Sequence, residues 1–230
     1  MNNLVCVFAS EPIFNQEKVK AFEKLSVTDT IFFYSLLLAN FIELFADSIT
    51  KYEKLFFINK LDQHFVPKSF FPENYNFHFI DFSKLDLVYE NLDRNIFANY
   101  NNLLLIRSNT IGIRKKDITR TFGMLASEEN SVVIGKSLTN EIVFSAHNNL
   151  SKSEFESFFI NVKSFNKHLS EVSRSDNFIN VYEKFISLST FIDFKILYNE
   201  LSTKDSLEYC TEQMHERFTN LFIEYKDQLK

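Results

Sequence analysis

The sequence predicts an α/β protein with an open, mixed but mostly parallel sheet, helices on both faces and a helical C-terminal third. Two observations in the first 150 residues support this. Apolar runs of strand length recur along the chain, and they are too continuously apolar for strands with one solvated face. Segments with helical spacing separate several of them, as in sheets built from strand–helix–strand units. The predicted strands are residues 4–9, 54–59, 77–80, 102–107, 131–135 and 141–146.

The predicted helices follow from apolar residues at helical spacing and from capping residues near their first turns. Residues 28–49 form the longest, with Ser26 or Thr28 as its cap, and Ser83 is the expected cap of the next. The predicted helices are 28–49, 83–98 and 116–125, then 153–168, 176–188 and 203–225, with a short strand at 194–198. No repeat or linker divides residues 1–230, so we expect one domain, with a sheet-forming nucleotide-binding part at 1–150 and a mainly helical part at 151–230.

The composition excludes several kinds of site. Only three glycines occur, Gly112, Gly123 and Gly135, so the chain has neither a P-loop nor a GxGxxG fingerprint. Cys6 and Cys210 lie at opposite ends of the sequence and offer no metal-binding spacing. The 28 phenylalanines lie within hydrophobic runs and predict a Phe-rich core.

Partners and location follow from charge and hydropathy. The net charge of −5 argues against nucleic acid as a partner. No basic segment precedes the first apolar run, and no apolar stretch reaches about 18 residues without a charge. We therefore expect a cytoplasmic protein with no membrane span.

Ligands of open α/β sheets bind beyond the carboxyl ends of the strands, which directs attention to residues 9–20, 107–114 and 135–142. The first window contains Val7-Phe8-Ala9-Ser10-Glu11-Pro12 and then Lys18-Val19-Lys20-Ala21-Phe22. The second is an apolar strand ending in Arg107-Ser108-Asn109, and the third runs from Gly135 through Thr139-Asn140-Glu141.

In order and spacing, these windows resemble a bacterial branch of the GT-A-type glycosyltransferases, the nucleotide-diphospho-sugar transferases. The resemblance covers about residues 3–150 and is loose beyond them. It implies a Rossmann-like GT-A fold and a nucleotide or nucleotide-sugar as ligand. Within or beside the matched segments, the candidate residues for binding the nucleotide or its phosphates are Ala9, Glu11, Lys18, Lys20, Arg107 and Asn109.

The chain departs from the family where the chemistry would be done. The resemblance implies an aspartate at position 109 to help hold a divalent cation, but the residue is Asn109, and a neutral amide is a poor substitute for a carboxylate on Mg²⁺ or Mn²⁺. An Asp-Gly-Gly segment has become Thr139-Asn140-Glu141, and the expected arginine of the first window is Phe22. We therefore expect no metal or other cofactor.

One residue is gained. Arg107 stands where the family has glycine, and a guanidinium matches phosphate oxygens well. The hypothesis is that Arg107, with Lys18 or Lys20, holds a diphosphate without metal. The alternative is a strand-end arginine paired with a carboxylate, beside a solvated charge run at 114–116.

Other candidates are weaker. Glu141 is the carboxylate left in the third window and a weak candidate for a catalytic base, although it could simply face solvent. Ser108 and Ser145 have no evident histidine partner in sequence, so no nucleophile is predicted. The helix at 203–225 could pack in the core or form the face of a homodimer.

Two functions remain open. In the first, the protein is a non-catalytic, ligand-binding homologue of the transferases, in which bulky residues such as Phe14 and Phe22 fill the former site. In the second, it is an active, metal-independent transferase that uses Arg107 and Lys18 or Lys20. A third possibility is an unrelated α/β domain whose motifs match by chance.

Overall fold

The computed structural model describes residues 2–46, 52–73 and 75–229. Its strands form one mixed sheet with the order β3-β2-β1-β4-β7-β6-β8-β5. The strands are β1 (Asn3–Ala9), β2 (Glu53–Asn59), β3 (Asn76–Ile80), β4 (Asn102–Arg107), β5 (Thr110–Ile111), β6 (Ser131–Ser137), β7 (Ile142–His147) and β8 (Phe178–Ser187).

The directions of the strands create a crevice at one edge of the sheet. β1 pairs in parallel with β2 on one side and with β4 on the other. The chain thus leaves β1 toward one half of the sheet and returns through β4 to begin the other half. Such a reversal leaves a gap beyond the carboxyl ends of the two strands, where ligands of α/β sheets bind. β7 and β5 are antiparallel to their neighbours, which makes the sheet mixed.

Helices cover both faces of the sheet. They are α1 (Val27–Leu44), α2 (Leu85–Asn95), α3 (Lys115–Leu125), α4 (Lys152–Ile160), α5 (Phe165–Val172), α6 (Phe191–Leu201), α7 (Glu212–Glu224) and α8 (Lys226–Leu229). One core joins alternate strand residues to α1 and α3, and a second joins the opposite strand faces to α2, α4 and α5. The predicted fold class is therefore confirmed.

α1 connects the sheet to the C-terminal helices. Leu38 and Phe41 lie in the core of the first sheet face, whereas Phe33 lies in a third core with residues of α6 and α7. Phe33 meets Phe194 of α6 edge to face, with ring centroids 5.1 Å apart. In the described part of the chain, α1 is the one helix long and apolar enough to cross a membrane. Its burial on two sides identifies it as a core helix.

The largest error of prediction concerns residues 176–188, which were expected to be a helix. They contain β8, which runs parallel to β6 from Ser131 opposite Phe178 to Ser137 opposite Phe185. β8 adds a strand inside the sheet, between β6 and β5. The C-terminal third therefore contributes one strand of the sheet in addition to its helices.

Several predicted boundaries also need correction. Residues 153–168 form two helices, α4 and α5, and the predicted strand 194–198 lies inside α6. The predicted helix 203–225 begins with a short 3₁₀ helix, Lys204–Glu208, before α7. Ser26 caps α1, whereas Ser83 does not cap α2 and instead donates to Asp81. Residues 47–49 of the predicted helix 28–49 lie outside the described residues.

Candidate functional site

A cleft of about 550 Å³ opens at the carboxyl ends of β1, β4 and β8. Three chain segments surround it: the segment that follows β1, the turn after β4, and the residues between β8 and α6. The helices α2 and α4 supply a fourth, apolar side. The cleft is lined by Ser10, Glu11, Pro12, Lys20, Ala21, Phe22, Glu23, Tyr34, Phe82, Leu85, Arg107, Asn109, Phe159, Val162, Lys163, Leu188, Ser189 and Thr190.

Arg107 is half-buried in the cleft wall at the end of β4. Its Nε donates to the side-chain oxygen of Asn109 at 3.3 Å. Among the described residues, none accepts a hydrogen bond from its two terminal nitrogens, and no carboxylate lies within ion-pair distance of it. The alternative of an arginine paired with a nearby carboxylate is therefore not what the structure shows. Burial lowers the pKa of Arg107 to about 10, while the charges of Glu141 and Glu11 act to raise it, so it is cationic at neutral pH.

Asn109 is oriented by three bonds. Its side-chain oxygen accepts from Arg107, its side-chain nitrogen donates to the carbonyl of Leu188 at 3.3 Å, and its own carbonyl accepts from the Leu188 amide at 2.8 Å. The amide oxygen thus faces a fixed positive charge. A metal ion at that oxygen would lie beside the guanidinium and be repelled by it.

Two lysines join Arg107 in the cleft. Lys20 and Lys163 are exposed lining residues that come from different segments of the chain. Sequence reasoning missed Lys163, because it lies outside all three strand-end windows. Lys18 is exposed but is not among the lining residues, and Ala9 is buried in the core below the cleft.

The basic residues at the start of α3 form ion pairs outside the cleft. Arg114 and Lys116 both pair with Glu208 at 2.6 Å. None of these three residues lines the cleft. The run therefore matches the alternative of a solvated charge cluster.

Buried aspartates hold two walls of the cleft. Asp62, which is fully buried, accepts the backbone amides of Ile13, Phe14 and Asn15, in the segment that follows β1. Burial raises the pKa of the Asp62 carboxyl, and these hydrogen bonds oppose the rise. On the other side, Asp193 accepts from the amide of Thr190 at 2.8 Å and from that of the preceding residue at 3.1 Å.

Glu141 lies behind the cleft wall and does not line it. It is 9% exposed and accepts hydrogen bonds from the hydroxyls of Ser187 and Ser189, at 2.5 and 2.9 Å. A carboxylate engaged in this way is placed to support the end of β8. The alternative that Glu141 simply faces solvent is therefore not what the structure shows.

Glu11 shares the cleft with Arg107 and Tyr34. Burial raises the pKa of Tyr34 to about 12, and the charge of Glu11 adds to that rise. Glu23 also lines the cleft, and it accepts the backbone amide of Phe191 at 3.1 Å. Glu11 therefore remains the carboxylate best placed to meet a bound molecule.

Aromatic residues form one wall of the cleft without filling it. Phe82 and Phe159 are half-buried there, with ring centroids 5.5 Å apart. Phe14 does not enter the cleft, because it packs in the core against Phe70. Phe22 lines the cleft but is 3% exposed and packs against Phe33. The predicted filling of the site by Phe14 and Phe22 is therefore wrong.

The turn before β7 reaches a left-handed conformation without glycine. Asn140 has a φ of 61°, a left-handed conformation that asparagine tolerates better than most residues. Gly135 is required for a different reason: a Cβ there would lie 2.2 Å from the ring of Phe144. The segment 135–141 thus contains one glycine, at the position where a side chain would clash.

Ser145 does have histidine partners, contrary to expectation. Its hydroxyl lies 2.7 Å from Nε2 of His147 and 3.1 Å from Nε2 of His168, whose Nδ1 reaches Ser157 at 3.0 Å. Burial lowers the pKa of both histidines to about 3. Ser145 and both histidines have no exposed surface. The group is a polar network inside the core, out of reach of a substrate.

Solved structures identify the fold. The chain superposes on a protein assigned as a nucleotide-diphospho-sugar transferase from Desulfovibrio desulfuricans G20 with a TM-score of 0.68, at 10% identity over 97% of each chain. This chain has the nucleotide-diphospho-sugar transferase fold. The predicted resemblance is confirmed at the level of the fold.

Two further solved structures extend the likeness in fold. One is a 4-diphosphocytidyl-2C-methyl-D-erythritol synthase from Anaerococcus prevotii DSM 20548, with a TM-score of 0.51 at 10% identity over 95% of each chain. The other is a CMP:2-keto-3-deoxy-manno-octonic acid synthetase in complex with CTP, with a TM-score of 0.52 at 7% identity over 88% of this chain and 99% of that one. Identities this low establish the fold alone.

Comparisons by sequence give no match: no family model fits the chain, and no curated protein is similar to it. Within residues 2–46, 52–73 and 75–229, no group of three or more His, Cys, Asp or Glu side chains is placed to hold a metal ion.

Proposed function

We propose that this protein is a non-catalytic homologue of the nucleotide-diphospho-sugar transferases that binds a nucleoside diphosphate, or its sugar conjugate, through side-chain cations and without a divalent metal. Arg107 carries the proposal. Arg107 lines the cleft, and no described residue accepts a hydrogen bond from its two terminal nitrogens. A diphosphate is the ligand whose charge and oxygen geometry match such a fork.

The other cations support the same ligand. Lys20 and Lys163 reach the cleft as Arg107 does, whereas Arg114 and Lys116 are neutralised by Glu208. Of these five cations, the three that line the cleft form no ion pair with a described residue, and the two that are paired lie outside it.

The proposed independence from metal follows from the contact between Arg107 and Asn109. A cation bound at the Asn109 oxygen would need a carboxylate to offset the cost of its desolvation. It would meet a guanidinium instead. In this chain the fixed positive charge of Arg107 takes the place of a bound divalent metal ion.

The proposal also holds that the protein does not catalyse transfer of the bound sugar. Glu141, the one candidate base of the third window, is engaged by Ser187 and Ser189 behind the cleft wall. The second candidate function, an active metal-independent transferase, is favoured by one observation: Glu11 lines the same open cleft as Arg107. Glu11 could then act as a base toward an acceptor hydroxyl.

The test is a thermal-shift and calorimetric screen of nucleoside diphosphates and their sugars, in EDTA and in Mg²⁺ or Mn²⁺. Ligand at about 100 times its Kd should stabilise the fold by about 2.7 kcal/mol, which is a Tm rise of roughly 5–10 °C for a chain of this size. We expect the same shift in EDTA as in metal. A rise in Tm that requires the metal would refute the fixed-charge site. The absence of any rise in Tm across the whole panel would refute nucleotide binding.

A matched pair of variants locates the site. Arg107→Ala removes about two charge-assisted hydrogen bonds to the diphosphate and should weaken binding by about 100-fold. Arg114→Ala, which removes a nearby cation already paired with Glu208, should leave binding unchanged. Lys163→Ala should weaken binding and lower its salt dependence, whereas Lys18→Ala should change neither.

Turnover is tested separately. Purified protein with the tightest-binding nucleotide-sugar should release no free nucleotide above the uncatalysed rate. Release that disappears in Glu11→Gln would favour the transferase alternative.

Cytoplasmic location, bacterial origin and a homodimer through the last helix stay predictions. Of the apolar residues of that helix, Met214, Phe218 and Leu221 pack in the core, and Ile223 is 57% exposed.

A further inference from the structure

One side chain holds the wall of the cleft that follows β1. The carboxylate of Asp62 accepts the backbone amides of three successive residues: Ile13 at 2.8 Å, Phe14 at 2.9 Å and Asn15 at 2.8 Å. Asp62 has no exposed surface and lies 47 to 49 residues away in sequence. This is a tertiary contact between the segment that follows β1 and the 3₁₀ helix Lys60–Asp62 that follows β2.

Two further bonds fasten the same segment to the end of β2. The side chain of Asn59 donates to the carbonyl of Ser10 at 2.5 Å, and the side chain of Asn15 donates to the carbonyl of Leu61 at 3.0 Å. The Asn15 carbonyl also accepts the amides of residues 18 and 19, which turns the chain toward Lys20. The attachment therefore spans the whole stretch that brings Glu11 and Lys20 to the cleft.

A carboxylate suits this place for a physical reason. The segment 10–25 contains no glycine, so it cannot reach a ligand by the tight turns that glycine allows. Three buried amides without acceptors would each carry a desolvation cost. An ionised carboxyl has two oxygens with about four acceptor sites, whereas an asparagine there would have one oxygen and would turn two N–H donors toward the amides.

We infer that Asp62 is a positioning residue for the cleft. It fixes the segment after β1 so that Glu11 and Lys20 are already placed to contact the ligand. Asp62 itself does not line the cleft. The expected effect of Asp62 on nucleotide affinity rests on the proposed nucleotide site, whereas its expected effect on the order of the segment after β1 does not. The two can therefore be tested apart.

The experiment combines amide hydrogen exchange with calorimetry on wild type, Asp62→Asn and Asp62→Ala. In the variants, the amides of residues 13–15 should exchange at least about tenfold faster, while those of β1 are unaffected. If the segment is then in place about a tenth of the time, the Kd for the tightest nucleoside diphosphate of the panel rises about tenfold. Glu154→Gln is the control: Glu154 is also a buried carboxylate that accepts a backbone amide, that of Ser151 at 2.9 Å, but it is not a lining residue of the cleft.

Each outcome decides the inference. Unchanged exchange at 13–15 in the Asp62 variants overturns it, and so does faster exchange with an unchanged Kd. An equal loss of affinity in Glu154→Gln would also overturn it, because the effect would then be general destabilisation. If wild type binds no nucleotide, the proposed function fails and the exchange data alone decide the role of Asp62.

Wild type supplies a measurement that needs no variant, should the Asp62 variants fail to fold. The amides of residues 13–15 should exchange as slowly as those of Val5 and Val7 in the central strand β1. Rates typical of an open loop would overturn the inference.

Discussion

Replacing Asn109 by aspartate should weaken nucleotide binding in the absence of metal, although it restores the residue that the family resemblance implies at this position. In the structure, the Asn109 oxygen accepts from Nε of Arg107 at 3.3 Å. A carboxylate in the same place would form an ion pair with the guanidinium. The arginine would then be neutralised before a diphosphate arrives.

The size of the effect follows from the distance. Two unit charges about 4 Å apart attract by about 1 kcal/mol in water and about 4 kcal/mol at an effective dielectric constant of 20. Arg107 is half-buried. We therefore expect a competing interaction of about 2 kcal/mol, which corresponds to a Kd roughly 30-fold higher.

The assay is isothermal titration of wild type and Asn109→Asp with the same nucleoside diphosphate in EDTA. Gln213→Glu is the control for net charge, because it adds one carboxylate to the exposed first turn of α7, away from the cleft. Its Kd should match that of wild type. Equal or tighter binding by Asn109→Asp in EDTA would refute the fixed-charge site, and tighter binding only with Mg²⁺ would show a latent metal site.

Two further predictions concern stability. Burial lowers the pKa of His147 and of His168 to about 3, whereas both should titrate near 6.5 when unfolded, so the unfolded chain binds more protons as the pH falls from about 6.5 toward 3. The free energy of unfolding, measured by urea titration, should accordingly fall by about 4 kcal/mol between pH 7 and pH 5. A free energy that does not change over this pH range would contradict the buried network. Gly135→Ala should cost about 1–3 kcal/mol, because its Cβ would overlap the ring of Phe144. Gly123→Ala, inside α3 with open space around it, should gain about 0.5–1 kcal/mol, and the reverse order of denaturation midpoints would contradict the packing described here.

The first half of the fold was predictable because its strands are buried on both faces. β1, β2 and β4 are short apolar runs without alternation, a pattern that central parallel strands share and that solvated strands lack. Their boundaries agree with prediction to within about one residue. The cleft was predictable in position for the same reason, since it follows from the strand ends.

β8 was mistaken for a helix because a bulge changes its periodicity. Tyr182 stands opposite Gly135 and Phe185 stands opposite Ser137, so β8 has one residue more than its partner over that interval. Lys184 takes a φ of 90° there. The insertion converts an alternating pattern into apolar residues spaced three and four apart, which is the spacing of a helix. Pairing with β6 determines the outcome, and local sequence does not show that pairing.

The strand at 194–198 was a different error. A short apolar run fits a strand or a buried helix equally well. The signal that decides for α6 is Thr190 followed three residues later by Asp193, which together form a capping box.

The site was only partly predictable. Arg107, Asn109, Lys20 and Glu11 were found because they follow strand ends. Lys163 comes from the segment between α4 and α5, which sequence reasoning treated as one continuous helix. Asp62 reaches the segment after β1 by a tertiary contact, which no local pattern announces.

The place of β8 inside the sheet has a consequence for any shortened form of this protein. A chain that stopped at residue 150 would keep every residue that the family resemblance covers, yet it would leave the edge of β6 without its partner. An unprotected, apolar strand edge is a template for intermolecular pairing. Phe22 and Phe33 would also lose their cover from α6 and α7. We expect such a fragment to aggregate, so the last third of the chain acts as a built-in guard against self-association.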